Sequence, residues 1–151
     1  MNFTIPKIID SIASQLATLY PNTPVYDSPS YNTSYPCFYV FVMMPSIKDQ
    51  IDGVELRDIS FDIVYVQQRN SPAQNAELMS VLETLDEGFD MLTYVDGNDT
   101  TPLHTHDRNA SIEDQELHYK LTIRQRVSRE EIHHYMAEME EQNVEIEIPQ
   151  G

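Results

Sequence analysis

At 151 residues the chain has the size of one domain built around a single core, and its 25 acidic against 9 basic residues give a formal charge of −16. Such an excess repels a phosphate backbone instead of neutralising it, which argues against sequence-specific DNA binding. Cys37 stands alone, so no internal disulfide forms; no apolar run approaches the roughly 20 residues that span a bilayer, and the opening MNFTIPKIID lacks the basic-then-apolar order of a signal peptide. The expected setting is a reducing cytoplasm, away from membranes.

Residues 5–20 carry Ile5, Ile8, Ile9, Ile12, Leu16 and Leu19 at steps of three and four. This predicts a helix with one apolar face and with Asp10, Ser11 and Gln15 on the other, started by Pro6 and stopped by Pro21. A loop rich in Pro, Ser, Tyr and Asn follows, with a short strand around Val25. The run CFYVFVMM, Cys37 to Met44, is apolar throughout and rich in β-branched and aromatic types, as expected of a strand buried on both faces. After the turn pair Asp52-Gly53, residues Val54 to Val66 read as the second arm of a hairpin. Ile59, Phe61, Ile63 and Tyr65 share one parity and Val54 and Leu56 the other, so a bulge is predicted near Arg57 or Asp58.

Ser71-Pro72-Ala73-Gln74 has the form of a capping box with Pro at the first helical position. The helix it predicts places Leu78, Val81, Leu82, Leu85 and Phe89 on one face, to lie across the sheet. A short strand, LTYV, ends at Asp96-Gly97, and NDTTP is read as loop. The last long strand is plain: Leu117, Tyr119, Leu121, Ile123 and Val127 alternate with His118, Lys120, Thr122, Arg124 and Arg126. One face is core and the other polar and basic.

Beyond it, Ser128-Arg129-Glu130-Glu131 is a second capping box, opening a helix with a narrow stripe of Ile132, Tyr135, Met136 and Met139. VEIEI, Val144 to Ile148, closes the chain with strand-like alternation. From Glu130 onward there are seven carboxylates and no Lys or Arg, so the end of the chain is an acidic appendage. The order of elements predicts an α+β fold: a mostly antiparallel sheet covered by two helices over residues 1–127, then an acidic helical extension with a strand-like end over 128–151.

Chemistry is sought first in LHTHDRNASIEDQELHYKL, Leu103 to Leu121, which holds three of the five histidines and four acidic residues. A zinc or iron site needs three or more ligands converging on one point, and His104-Thr105-His106 has strand spacing, with Asp107 or His118 to complete it. If Asp114-Gln115 is a two-residue turn, however, Glu113 pairs with Glu116 and His106 falls opposite Ile123. His118 then lies on the other face with Lys120 and Arg124, out of reach of a shared ion; a one-residue change in the turn reverses that parity. Surface or rim residues of a hairpin are the simpler reading. His133 and His134, adjacent on a predicted helix, point about 100° apart. No phosphate-cradling glycine loop, serine elbow or zinc-protease motif is present, and Cys37 sits in an apolar strand as a buried thiol. No catalytic residue, cofactor or metal is expected, and the rival reading is a small metal-dependent enzyme using His104, His106 and Asp107.

The amphipathic first helix ending in LYPNTPVY, then Pro36-Cys37-Phe38-Tyr39-Val40, Phe61-Asp62-Ile63-Val64-Tyr65, a helix, and the late Leu117-His118 pair together resemble the phage tail terminator (tail completion) protein family of tailed phages and prophages of Gram-positive hosts. The likeness covers roughly residues 5–127 and rests on strand and turn residues, with Leu117-His118 in a strand. It implies a small α+β domain that assembles as a homohexameric ring on the head-proximal end of the tail tube. Such a ring ends tube polymerisation and joins the tail to the head-completion or neck proteins. No catalytic residue comes with it. Genomic DNA would pass through without specific binding, favoured by a like-charged lining, and the setting would be the virion tail or neck, with assembly in the host cytoplasm. In this light Lys120, Arg124 and Arg126 are candidate partners for the acidic helix of a neighbour, Glu138 and Glu141 included. Val144, Ile146 and Ile148 are candidates for adding a strand to a neighbour's sheet. Another neck component remains the alternative within the class.

Overall fold

The computed structural model describes residues 3–28, 33–43, 46–49, 53–70, 72 and 74–128. Helix α1 (Ile5–Leu19) opens on Thr4, whose hydroxyl accepts from the Lys7 amide, with Pro6 in the first turn where an absent N–H costs nothing. Its Ile8, Ile12 and Leu16 are fully buried, as the spacing predicts. Ser11 and Gln15 depart from the expected solvent-facing side, because both side chains bind strand backbone described below.

Strand β1 (Val25–Tyr26) runs parallel to β2 (Cys37–Val42), and β2 is antiparallel to β4 (Val54–Val66), pairing Cys37 with Val66 and Val42 with Phe61. Strand β3 (Ser46–Asp49) extends the same edge of β4, pairing Ser46 with Asp58 and Asp49 with Glu55. The sum of partner numbers thus changes by one between Val42 and Ser46, so the irregularity lies on the strand facing β4. The bulge predicted near Arg57 or Asp58 is absent: β4 pairs without a break, Val54 to Ser128 through Val66 to Glu116, with β7 (Glu116–Ser128). Val54 and Leu56 break parity for another reason, namely that the core ends at Ile59 and Arg57 and Glu55 occupy the core-side positions beyond it.

Helix α2 (Gln74–Gly88) starts at Gln74, whose φ of +23° is not helical, so the first turn begins after the Pro72 position expected from the sequence. Strand β5 (Met91–Asp96) turns at Gly97, in the left-handed region, directly into β6 (Asp99–Glu113). NDTTP is therefore not all loop: Thr100, Thr101 and Pro102 pair with Val95, Tyr94 and Thr93. The sheet has seven strands in the order β1-β2-β4-β7-β6-β5, with β3 beside β2 on β4, and only the β1/β2 pair is parallel.

Both helices cover one face. Ile8, Ile12 and Leu16 of α1 and Leu78, Val81 and Leu85 of α2 join Phe38, Phe61, Ile63, Leu117, Tyr119 and Leu121 in one apolar cluster, each such burial contributing about 1.5–3 kcal/mol. Where the helices end, a Cβ on Gly88 would lie 2.6 Å from Leu19 Cδ1, so glycine permits their close approach. The fold is α+β, with a mostly antiparallel sheet and two covering helices. The predicted terminal helix and VEIEI lie outside the described residues.

Candidate assembly surfaces

Among the described residues no helix lies on the opposite face of the sheet, and the register sets out its rows. Moving along β4 and β7, Val64 stands beside His118, Asp62 beside Lys120, Ser60 beside Thr122, Asp58 beside Arg124 and Leu56 beside Arg126. At the β2 end this face is apolar: Cys37, Tyr39 and Val64 are buried together with Tyr26, Phe41 and Val66 packed around them. Tyr26 and Tyr39 rings lie 5.9 Å apart, Tyr39 and Phe41 5.8 Å. Burial pushes the Cys37 thiol up, which holds it protonated and inert, as its apolar strand implies.

The remainder of the face is a polar network. His118 Nδ1 lies 2.9 Å from Asp62 Oδ2, while its Nε2 is 3.8 Å from Glu113 and 3.7 Å from Glu116. Ser60 and Thr122 share a hydroxyl hydrogen bond of 2.8 Å. Arg124 donates to Asp58 (3.2 Å) and Asp107 (3.4 Å). The basic strand face predicted from sequence is therefore interleaved with carboxylates supplied by β4 and β6, which one strand read alone does not reveal. Arg124 is already engaged, whereas Lys120 and Arg126 have no hydrogen-bond or ion-pair partner among the described residues.

The turn at Asp114-Gln115 is as predicted: both residues are left-handed, Glu113 pairs with Glu116 and Ile112 with Leu117. The parity of His106 is not. Between His106 and Asn109 the register slips by one residue, with Asp107 at a φ of +51°, so His106 faces Thr122 and not Ile123. His106 thus shares a face with His118, contrary to the sequence reading. They stand four positions apart along β7, about 13 Å at the rise of a strand, beyond any shared ion. His104 is exposed and pairs with Met91 on β5. Among the described residues no group of three or more His, Cys, Asp or Glu side chains is placed to hold a metal ion.

A groove of about 600 Å³ separates α2 from the β6–β7 hairpin, floored by Leu82, Ala110 and Tyr119 and rimmed by Glu83, Asp86, Glu87 and Arg108. Tyr119 donates to Asp86 (2.8 Å), and Arg108 bridges Asp90 (2.8 Å) and Asp86 (3.6 Å). Tyr119, Asp86 and Arg108 of the groove are thus tied to one another, which suits a structural seam.

Edges matter as much as faces. Gln15 accepts from Thr93 N–H and donates to Met91 O, and Ser11 Oγ accepts from Val95 N–H, so α1 occupies the outer edge of β5. Strand β3 carries no such cover from described residues, and its Ile47 is 58% exposed. Sequence reasoning missed this difference, because α1's polar residues match any solvated helix face.

A sheet with one helix-covered face, one ion-paired face and, among the described residues, an uncovered edge at β3 defines an α+β domain whose distinctive chemistry is displayed on broad surfaces. The family model described as phage tail terminator protein matches residues 7–134, and the chain belongs to that family, a structural one of the phage tail. The match runs past Val127 to residue 134, into the predicted terminal helix. No curated protein matches the chain. No helix among the described residues is long and apolar enough to cross a membrane.

Proposed function

We propose that the chain is a tail terminator in the strict sense: a homohexameric ring that caps the head-proximal end of the tail tube, stops its polymerisation and receives the head-completion or neck proteins. The family membership carries this reading. It works by geometry, with one rim matching the tube end and the other unlike it, so the next tube ring finds no complementary surface. The charge of −16 supports passage of genomic DNA without sticking. Assembly takes place in the host cytoplasm and the finished ring stays in the virion neck.

In this reading residues 1–127 form the ring body and 128–151 an acidic extension. Lys120 and Arg126, unpaired within the described residues, meet Glu138 and Glu141 of a neighbouring copy, while Arg124 contributes less because Asp58 and Asp107 already hold it. Val144, Ile146 and Ile148 add a strand to a neighbour's open edge, which β5 does not offer because α1 occupies it.

Immunogold labelling of phage particles, viewed by negative-stain electron microscopy, tests the reading. Label at the head–tail joint, together with over-long tubes when the protein is withheld, is the expected result. Intact unlabelled particles, with the protein free in the soluble fraction, would count against a place in the virion.

A further inference from the structure

Strand β6 has strands on both sides only in part. β5 accompanies it from Asp99 to His104, whereas β7 follows it on to Glu113, so residues 109–113 have an outer edge with no strand beside it among the described residues. On the opposite side of the sheet the bare edge is β3. Each edge displays one of the two exposed isoleucines among the described residues, Ile112 at 38% and Ile47 at 58%.

The phase of the backbone carries across the sheet from the β6–β7 turn. Asp114 and Gln115, both left-handed, make a two-residue turn in which Glu113 and Glu116 exchange both hydrogen bonds. Pairing alternates from there, so Ala110 and Ile112 send N–H and C=O away from β7. Through the unbroken register, the same alternation turns Ser60, Asp58 and Leu56 of β4 away from β7, and the Met43 amide does donate to Ser60 O at 2.8 Å. Ser46 and Lys48 therefore bond β4, and Ile47 directs its N–H and C=O outward. Both isoleucines lie on the helix-covered side, Ile112 beside Leu117 and Ile47 beside Arg57. Three antiparallel steps separate β3 from β6, so the two strands run in opposite directions. The four strands between the edges keep them in step; with three, outward backbone groups and helix-side chains would fall on different residues at one edge.

We propose that β3 of one copy pairs antiparallel with residues 109–113 of β6 on the next, Ile47 opposite Ile112, joining the two sheets with their helices on one side. The contact joins two different edges of the same chain, so it is heterologous, and repeated by rotation it closes a ring. In this register Lys48, exposed and with no partner among the described residues, stands across from Ser111 and diagonal to the 61% exposed Glu113 on the face without helices. An apolar pair and an ion pair thus flank the new backbone bonds. The joint rests on the ring reading and gives it a subunit contact made wholly by the folded body.

Disulfide cross-linking tests it. Residues that exchange two hydrogen bonds stand about 5.5 Å apart at Cα, within the span of a disulfide. The variant Ile47→Cys, Ile112→Cys, assembled into particles and mildly oxidised, is expected to run on a non-reducing gel as a ladder up to the closed ring. That ladder should be at least about tenfold stronger than for Ile47→Cys with Ser111→Cys, whose thiols lie on opposite faces. Each single variant should give no ladder, since Cys37 is buried. Label at the head–tail joint without a ladder would overturn the pairing and leave the ring reading standing, as would an equally strong ladder from the off-face pair. Absence of the parent protein from particles would remove ring and pairing together. Where the paired cysteines keep the chain out of particles, charge exchange decides. Lys48→Glu should lower incorporation several-fold and a second change, Glu113→Lys, should restore it; no loss, or a loss that the second change leaves in place, would overturn the pairing.

Discussion

Gln15 on α1 and Thr93 on β5 are joined across the outer edge of the sheet, the Thr93 amide donating to Gln15 Oε1 at 3.2 Å. The other end of the same side chain donates to Met91 O at 3.0 Å and to Gly88 O, so one glutamine satisfies three backbone groups. Ser11 continues the pattern with Val95. A free strand edge is a template for unwanted pairing, and here a helix side chain occupies it. Gln15→Leu keeps the volume and removes all three bonds. The expected outcome is a loss of about 1–3 kcal/mol, seen as a lower urea midpoint at unchanged m-value, together with self-association through β5.

That edge also shows how far the sequence could be read. The 3.6-residue spacing of Ile8, Ile12 and Leu16 and the alternation of Leu117 to Ile123 report burial directly, so both helices and the long strands were legible. Hydrophobic patterning carries no information on whether a polar residue meets water or a strand edge, and Ser11 and Gln15 were misplaced for that reason. The slip at Asp107 was hidden likewise, because a left-handed non-glycine residue in a polar strand leaves no periodic trace. It decided the face of His106. The carboxylates answering Arg124 come from β4 and β6, and only pairing register brings them together.

Two buried phenols predict the alkaline behaviour. Burial, reinforced by donation to the Glu77 carboxylate, pushes the Tyr65 hydroxyl up, and burial with donation to Asp86 does the same for Tyr119. In the unfolded chain both ionise near pH 10, so above that pH the folded state holds protons that the unfolded state has lost. Their contribution is complete below about pH 10 and is lost as pH rises through the folded-state values. Stability should fall with pH in this window, and Tyr65→Phe or Tyr119→Phe should each make the fall shallower. Denaturant titrations at several alkaline pH values, with tyrosinate absorbance followed alongside, measure both effects.

The histidine hairpin makes a separate prediction. His104 is exposed, and His106 and His118 are about 13 Å apart along β7, so removing the first two should disturb neither fold nor assembly. The double variant His104→Ala, His106→Ala is expected to stay within about 0.5 kcal/mol of the parent for each change and to label the head–tail joint normally. Elemental analysis after dialysis should find no stoichiometric zinc or iron in either protein. A bound metal lost on mutation would restore the rival reading of a small metal-dependent enzyme.

Arg124 and Arg126 are two residues apart on β7 and point to the same side, yet the structure separates their roles. Arg124 bonds Asp58 and Asp107 within its own chain, in a half-exposed setting where such pairs are worth about 0–1 kcal/mol. Arg126 is exposed beside Leu56, with no partner among the described residues. Reversing each charge should therefore divide stability from assembly. Arg124→Glu places a third carboxylate beside two others and should lower the melting temperature, with any assembly defect following from that. Arg126→Glu should leave the urea midpoint unchanged, because it breaks no bond among the described residues, while repelling the acidic segment of a neighbouring copy. Incorporation of each variant into particles, scored by immunogold label at the joint, completes the comparison. An Arg126→Glu protein that labels the joint like the parent would remove Arg126 from the subunit interface and leave Lys120 as the cation to reverse next.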